Sequence, residues 1–301
     1  MIEQAQYADG LSIKERYGHV FGPLTRYSRA PAKIDEFNVY EEANPDTRKI
    51  IDAMVADNLL PGSGLMGREH FAEFLERTKS GESALILSEH YSNMDLPVIM
   101  YLLEHDGGDF GKELSSRIVA ISGLKLNEDD PLVRAYSEAF TRIVIYPSRS
   151  LAKLNDPKEI GRGKKINMAA MRALYLARQN GQIITVFPSG TRFRHGKPET
   201  KRGVREIDSY LRLFDIMILV SINGSCLRIP PDGSEDMLED RVFRDKVIIA
   251  ASPVIECKRF RDAVISALPP DAPDPKRAAV NRVMETLEEQ HAKYEAAKNR
   301  Y

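Results

Sequence analysis

The sequence has no tryptophan, only two cysteines and no apolar run long enough to cross a bilayer. Cys226 and Cys257 lie far apart and outside any zinc-ligand spacing, so we expect a reducing compartment, two buried thiols and no bound metal. The longest apolar run, residues 216–222, has the length of a buried strand and falls far short of the ~20 residues of a membrane-spanning helix. Any contact with a membrane is therefore expected to be peripheral.

The sequence also has no excess of positively or negatively charged residues. The 301 residues include 43 Lys and Arg and 44 Asp and Glu, for a net charge of −1, so the chain as a whole has no field that favours nucleic acid or an anionic membrane. Local clusters must carry any electrostatic function. The N-terminal residues have neither the apolar segment of a signal peptide nor the composition of a transit peptide, which predicts a cytoplasmic protein. Nothing in the residues indicates a cofactor.

The hydrophobic pattern of the sequence changes near residue 80. Residues 1–80 have helical periodicity, clearest after Asn44 and Pro45, which suit the cap and first position of a helix. No strand is predicted there. From residue 81 short apolar runs alternate with helical segments, which predicts an α/β fold, a mixed sheet flanked by helices. We therefore expect an N-terminal helical domain over 1–80 and an α/β domain over 81–301. The predicted strands are 84–88, 117–121, 142–146, 182–187, 217–222 and 246–251, and the clearest helices are 164–179 and 274–300.

The segment "SEHYSNMD", residues 88–95, places His90 at the end of a predicted strand and Asp95 at the start of a helix. The carboxylate can fold back to the imidazole, fix its tautomer and stabilise the imidazolium formed when histidine takes a proton. No Ser or Cys nucleophile accompanies the pair, which suggests that the attacking hydroxyl belongs to a substrate. Alternatively, Ser92 and Asp95 have the spacing of a capping box, and His90 is then an ordinary loop residue.

A second segment, "VFPSGTRFR" at 186–194, ends a strand with a turn and two arginines. Ligands of α/β sheets gather at the carboxyl ends of strands, and guanidinium groups form bidentate bonds with phosphate. Arg192 and Arg194 are therefore candidate phosphate ligands, and Arg149, after the strand at 142–146, is a third. A solvated surface loop is the alternative for each. The same region is locally basic, with Lys197, Lys201, Arg202 and Arg205, but it lacks the aromatic residues of a nucleic-acid site.

The sequence resembles the glycerolipid acyltransferase superfamily, whose hallmark is H-x-x-x-x-D followed about a hundred residues later by F-P-x-G-T-R. Here these are His90 to Asp95 and "FPSGTR" at 187–192. The likeness is greatest to the soluble, plastid-type glycerol-3-phosphate acyltransferases, because Ser189 and Arg194 match that group's second block. It extends through "SGLKLNEDDP" at 122–131 and "IYPSRSL" at 145–151. Thr191 departs from that group, which has Gly there, and Arg149 with Ser150 stands where it has Lys and His.

The resemblance implies that His90 is the general base, Asp95 its partner, and Arg149, Arg192 and Arg194 the phosphate ligands. The implied reaction moves a fatty acyl group from acyl-CoA or acyl carrier protein to the sn-1 hydroxyl of glycerol 3-phosphate. Lys197, Lys201, Arg202 and Arg205 would face the donor, and an amide near Ser92 or Gly190 would stabilise the oxyanion. The alternatives are acylation of lysophosphatidate, hydrolysis of a thioester, and a non-catalytic binder of phosphorylated lipid precursors.

Overall fold

A computed structural model describes residues 10–230 and 236–298. The chain forms a mixed sheet with helices on both faces, as the alternation of apolar runs predicts. The strands are β1 (Tyr40–Glu41), β2 (Gly64–Met66), β3 (Ala84–Ser88), β4 (Ile118–Gly123), β5 (Arg142–Ile145), β6 (Ile183–Val186), β7 (Ile216–Asn223), β8 (Leu227–Arg228), β9 (Arg241–Val242), β10 (Ile248–Ala251) and β11 (Ile255–Glu256).

The order across the main sheet is β1-β5-β4-β6-β3-β7-β10-β2, with β11 added beside β7. The five central strands, β5, β4, β6, β3 and β7, are all parallel to one another, so their carboxyl ends lie along one edge, which we call the carboxyl edge. The outer pairs of β1 with β5 and β10 with β7 are antiparallel. Strands β8 and β9 form a separate two-stranded ribbon.

The helices cover the sheet in two layers. They are α1 (Ile13–Tyr27), α2 (Pro45–Asn58), α3 (Arg68–Lys79), α4 (Asp95–Asp106), α5 (Gly108–Arg117), α6 (Lys125–Glu128), α7 (Pro131–Ser137), α8 (Ser148–Leu151), α9 (Pro157–Gln179), α10 (Ile207–Leu213), α11 (Cys257–Ser266) and α12 (Pro275–Lys298). One core joins α1 to α5 and α7 to one face of the sheet, and another joins α9, α10 and α12 to the opposite face. Alternate residues of β3 enter the two cores, Ile86 the first and Leu87 the second, as the twofold period of a strand requires.

The six strands predicted after residue 81 are confirmed, one with the predicted bounds, 84–88, and the others with ends shifted by at most two residues. The helix after Asn44 and Pro45 is confirmed as α2, and the Asn44 side chain accepts a hydrogen bond from the amide of Asp46. Cys226 and Cys257 are buried free thiols. Residues 1–9, from which the absence of a signal or transit peptide is predicted, and residues 299–300, the end of the predicted last helix, lie outside the described ranges.

The expectation of no strand before residue 81 is wrong. Strands β1 and β2 come from this region and pair with β5 and β10 of the main sheet. Each has only two or three residues, too few to show a periodic pattern, and its pairing is decided by the strand already present beside it. The division of the chain into domains at residue 80 stays a prediction.

Candidate active site

The two sequence motifs meet at the carboxyl edge. His90 follows β3 and the segment 187–194 follows β6, and these strands are adjacent and parallel, with Leu87 opposite Val186. The amide of Phe193 donates a hydrogen bond of 2.7 Å to the carbonyl of His90. The phenyl ring of Phe187 stacks on the imidazole, with ring centres 4.1 Å apart and planes 14° from parallel. The backbone and the ring contact together fix the second motif against the first.

The His90 imidazole is held by Asp95. Nδ1 of His90 lies 2.9 Å from Oδ2 of Asp95, and the Asp95 side chain is 3% exposed while that of His90 is 17% exposed. An ionised carboxylate can only accept, so Nδ1 carries the proton and donates it, which leaves the lone pair on Nε2. The pair therefore presents a basic nitrogen in a partly exposed imidazole.

Asp95 also accepts hydrogen bonds from backbone amides in the turn that leads into α4. Its Oδ2 accepts the amides of Tyr91 at 2.6 Å and Ser92 at 2.8 Å, and its Oδ1 accepts the Ser92 hydroxyl at 2.8 Å. Tyr91 and Ser92 precede α4, whose N-cap residue Met94 makes no side-chain cap hydrogen bond, so the carboxylate satisfies the turn before the helix and not the first helical amides that the capping-box alternative expects. The buried turn holds the carboxylate, and the carboxylate holds the imidazole.

The turn of the second motif needs a glycine. The amide of Gly190 donates to the carbonyl of Phe187 at 2.9 Å, and Gly190 has φ of +63°, a left-handed conformation that glycine adopts without steric cost. A Cβ at this position would lie 2.9 Å from the Val204 side chain. This closed turn directs the following residues back toward His90.

The arginines after this turn lie next to Phe193 in the chain and gather around one carboxylate. Arg192 is buried, 8% exposed, and forms an ion pair with the fully buried Asp240. Burial raises the pKa of Asp240 to about 6, although the positive charges of Arg192 and Arg194 act in the opposite direction. Two guanidinium groups thus act on a single buried carboxylate.

Arg149 lies at the same edge but not beside His90. It is exposed in α8, which follows β5, and β4 and β6 separate β5 from β3. At roughly 4.8 Å between neighbouring strands, β3 and β5 are about 14 Å apart. The long side chain of Arg149 can span part of the distance between β5 and β3 along this edge.

The family model described as Acyltransferase matches residues 69–218, a range that includes both motifs and four of the five central parallel strands entirely. The chain belongs to the glycerolipid acyltransferase superfamily. Acyl transfer is the class of reaction that this family model describes.

Two curated relatives are glycerol-3-phosphate acyltransferases described as chloroplastic. The protein from Arabidopsis thaliana is 24% identical over 185 residues, 61% of this chain and 36% of that protein. The protein from Spinacia oleracea is 28% identical over 177 residues, 58% of this chain and 33% of that protein. The match thus spans about a third of the length of each relative.

A small pocket of this acyltransferase domain opens beside His90. Its volume is about 60 Å³. One side comes from the two motifs and the other from α12, through Met284, Leu287 and Glu288. Lys201 lies on its rim, 4.9 Å from the centre of the Phe193 ring. The pocket therefore joins the imidazole to apolar side chains of a helix that is 200 residues away in sequence.

The basic residues of the predicted donor surface, Lys197, Lys201, Arg202 and Arg205, are all exposed. Two of them have acidic partners: Lys201 lies 3.4 Å from Glu288, and Arg205 lies 3.4 Å from Asp274. Lys201 is the one that also lines the pocket of His90. A charged surface thus borders the site, and part of its charge is compensated by α12 and the loop before it.

Sequence reasoning missed a polar network behind this pocket. Glu89 accepts hydrogen bonds from the amide of Ile222 and the hydroxyl of Tyr91, each at 2.8 Å, and lies 2.8 Å from Nδ1 of His291. Burial opposes the charge on His291, but the hydrogen bond and charge of Glu89 raise the pKa of His291 overall. The network fastens α12 to the residue before His90. The only sequence signal for this network was the acidic residue next to His90, Glu89.

The amides expected to stabilise an oxyanion are already engaged. That of Ser92 donates to Asp95 and that of Gly190 to the carbonyl of Phe187. Those two amides are therefore excluded as oxyanion donors in this conformation, because each has only one proton to donate.

Within the described ranges, no helix has both the length and the apolar composition that crossing a membrane requires.

Proposed function

We propose that the protein transfers a fatty acyl group from a thioester to the sn-1 hydroxyl of glycerol 3-phosphate, which gives lysophosphatidate. The observation that carries the proposal is the Nδ1 contact of His90 with buried Asp95, next to a backbone that carries two arginines. A phosphate binder alone needs neither the imidazole nor its carboxylate. We keep the cytoplasmic location as a prediction.

His90 acts as the general base in this proposal. Its Nε2 takes the proton of the acceptor hydroxyl while the oxygen attacks the thioester carbonyl. The tetrahedral intermediate then collapses, the carbon–sulfur bond breaks, and the imidazolium returns the proton to the departing thiolate. Asp95 stabilises the imidazolium through the 2.9 Å contact, and base catalysis of this kind contributes roughly 10²–10⁴-fold in rate.

Arg149, Arg192 and Arg194 bind the acceptor phosphate. Guanidinium groups suit phosphate because they offer paired donors in one plane. Arg192 already pairs with Asp240, so it contributes a fixed charge and its remaining donors. Arg149 is exposed and can extend along the edge to a bound anion.

The donor is acyl-CoA or acyl carrier protein, both anionic. Lys201 lines the pocket of His90, and the exposed cations Lys197, Arg202 and Arg205 lie within a few residues of it in sequence, so the segment supplies a field of the opposite sign. A basic surface speeds encounter with an anionic partner and makes the rate fall as salt rises. We expect the rate to fall more steeply with salt for whichever of the two donors covers more of these cations.

The test is an assay with radiolabelled glycerol 3-phosphate and either donor. Labelled lysophosphatidate supports the proposal, and free fatty acid without labelled lipid would indicate a thioester hydrolase. A product formed only when lysophosphatidate is added would indicate the second acylation. Binding of glycerol 3-phosphate without turnover would indicate a non-catalytic binder.

Arg149→Ala tests the phosphate assignment without a folding defect, because the side chain is exposed. We expect the KM for glycerol 3-phosphate to rise by about tenfold or more, since charge-assisted hydrogen bonds contribute roughly 1.5–3 kcal/mol, with little change for the donor. Arg259→Ala is the matched control, because Arg259 is also exposed and follows β11, which pairs with the amino end of β7, at the opposite edge. An effect confined to the donor would contradict the assignment.

A further inference from the structure

Helix α9, Pro157–Gln179, has an apolar face on each side. The inner face packs on the sheet through Ile166, Ala170, Leu174 and Ala177. The outer face exposes Met168, Met171, Tyr175 and Leu176, with 59%, 58%, 51% and 57% of each side chain accessible. These four follow the spacing of one stripe along a helix, whereas the outward face of an ordinary surface helix is polar.

Phe37 extends this stripe from a neighbouring loop. Lys165 of α9 lies 3.2 Å from Glu36, and Arg162 donates to the carbonyl of Ile34 at 2.7 Å, so the loop is attached to the helix. The amide of Phe37 donates to Asp35 at 2.8 Å. This turn leaves the phenyl ring 90% exposed. A large aromatic ring is thus held out into solvent beside the apolar stripe.

Clustering of this kind is unusual within the described ranges. Six large hydrophobic side chains are exposed there, namely Tyr27, Phe37, Met168, Met171, Tyr175 and Leu176. All except Tyr27 belong to α9 or to the loop attached to it. Single exposed apolar residues are common on proteins, but a contiguous group marks an interaction surface.

The exposed charges next to the stripe on α9 are all positive. From residue 160 to residue 198 the sequence has no Asp or Glu, in a chain whose overall charge is −1. Lys164, Lys165 and Arg172 are exposed on α9, next to the apolar side chains. The acids of the attached loop are engaged, Glu36 with Lys165 and Asp35 with the amide of Phe37. A partner must therefore be apolar in part and anionic at its surface.

We propose that this surface, the α9 patch, docks on an anionic lipid bilayer. The patch consists of Phe37, Met168, Met171, Tyr175 and Leu176 with Lys164, Lys165 and Arg172. A helix face and a protruding ring are convex, and the interface of a bilayer accepts convex apolar groups while its headgroups pair with flanking cations. A folded protein partner would need a complementary groove for both the stripe and the ring.

The position of α9 agrees with this orientation. The helix connects parallel strands β5 and β6, so it begins at the carboxyl edge, shortly after Arg149, and runs back along the face of the sheet. A bilayer lying on the patch would thus adjoin the edge that carries His90. The docking itself does not depend on the proposed function, because it requires only the patch.

Flotation of the full-length protein with vesicles tests the proposal. We expect binding to mixed phosphatidylcholine–phosphatidylglycerol vesicles and at least about tenfold weaker binding to phosphatidylcholine alone, since anionic headgroups attract the cations. Met168→Ser with Met171→Ser and Leu176→Ser should abolish binding to both. Lys164→Gln with Lys165→Gln and Arg172→Gln should remove the preference for the anionic lipid.

Matched controls separate the patch from general effects. Tyr27→Ser, at the exposed tyrosine of α1, is compared with Phe37→Ser, and only the second should weaken binding. Lys258→Gln with Arg259→Gln and Lys276→Gln removes three exposed cations elsewhere and should leave binding unchanged. Circular dichroism of each variant checks that the fold is retained.

Three outcomes would overturn the proposal. They are wild-type protein that binds neither vesicle, apolar variants that bind as wild type does, and a patch that instead mediates a dimer or holds an acidic carrier protein. Vesicle binding needs no turnover, and acyl transfer from a water-soluble short-chain donor should survive the patch variants. A failure of docking is therefore distinguishable from a failure of the proposed acyl transfer.

Discussion

Asp95 has two roles that are usually separate. It accepts the backbone amides of Tyr91 and Ser92 and also contacts the imidazole of His90. These partners lie within five residues of Asp95, so the sequence could predict the contact from local geometry. Asp240 could not be predicted in this way, because it lies 48 residues from Arg192 and belongs to no recognisable motif.

Asp240 should make stability depend on pH. Its pKa in the folded protein is about 6, above the ordinary 3.8, mainly because of burial. A raised folded-state pKa stabilises the protein below the unfolded pKa, and this contribution of about 3 kcal/mol is lost as pH rises from about 4 through about 6. Asp240→Asn cannot ionise and should lack this loss.

The measurement is urea unfolding of wild type and Asp240→Asn at a series of pH values between 4 and 7. The difference in unfolding free energy should move in favour of the variant as pH rises, whatever its value at pH 4. Asp271→Asn, at an exposed aspartate of the loop before α12, is the control. Parallel curves for wild type and Asp240→Asn would show that Asp240 titrates normally.

At the scale of elements, strands with long apolar runs could be predicted from the sequence. Short strands that form only because a partner strand lies beside them could not. The runs at 84–88 and 217–222 became β3 and β7, both buried throughout. Strand β1 has only Tyr40 and Glu41, and it exists because the edge of β5 offers unpaired backbone groups. Its pairing is reinforced by Arg142, which is 1% exposed and donates to Glu41 at 2.6 Å.

Glu41→Ala should therefore destabilise the protein strongly. The change leaves the buried guanidinium of Arg142 without its partner, and uncompensated buried charges cost roughly 3–5 kcal/mol. Glu42→Ala is the matched control, since Glu42 is the exposed neighbour and its loss should change the free energy of unfolding by less than about 0.5 kcal/mol. Equal effects of the two substitutions in urea unfolding would contradict this role of β1.

Across the whole molecule, function depends on where charge and apolar surface are placed and not on their totals. The net charge of −1 is a total over the chain, and it does not reveal the basic region that extends from α9 through β6 to the second motif. The sequence showed the basic part after residue 192, but not the outward stripe of α9, because periodicity alone does not tell which apolar face of a helix is covered. That distinction depends on the packing of the sheet.

The central claim is that His90, held by Asp95, takes a proton from an acceptor whose phosphate is bound at the same edge. The most direct measurement compares acyl transfer to glycerol 3-phosphate by wild type, His90→Ala and the control His105→Ala, at an exposed histidine of α4, together with glycerol 3-phosphate affinity. We predict that His90→Ala lowers kcat by roughly 10²–10⁴-fold and leaves the dissociation constant nearly unchanged, while His105→Ala alters neither. Unimpaired turnover by His90→Ala would contradict the account.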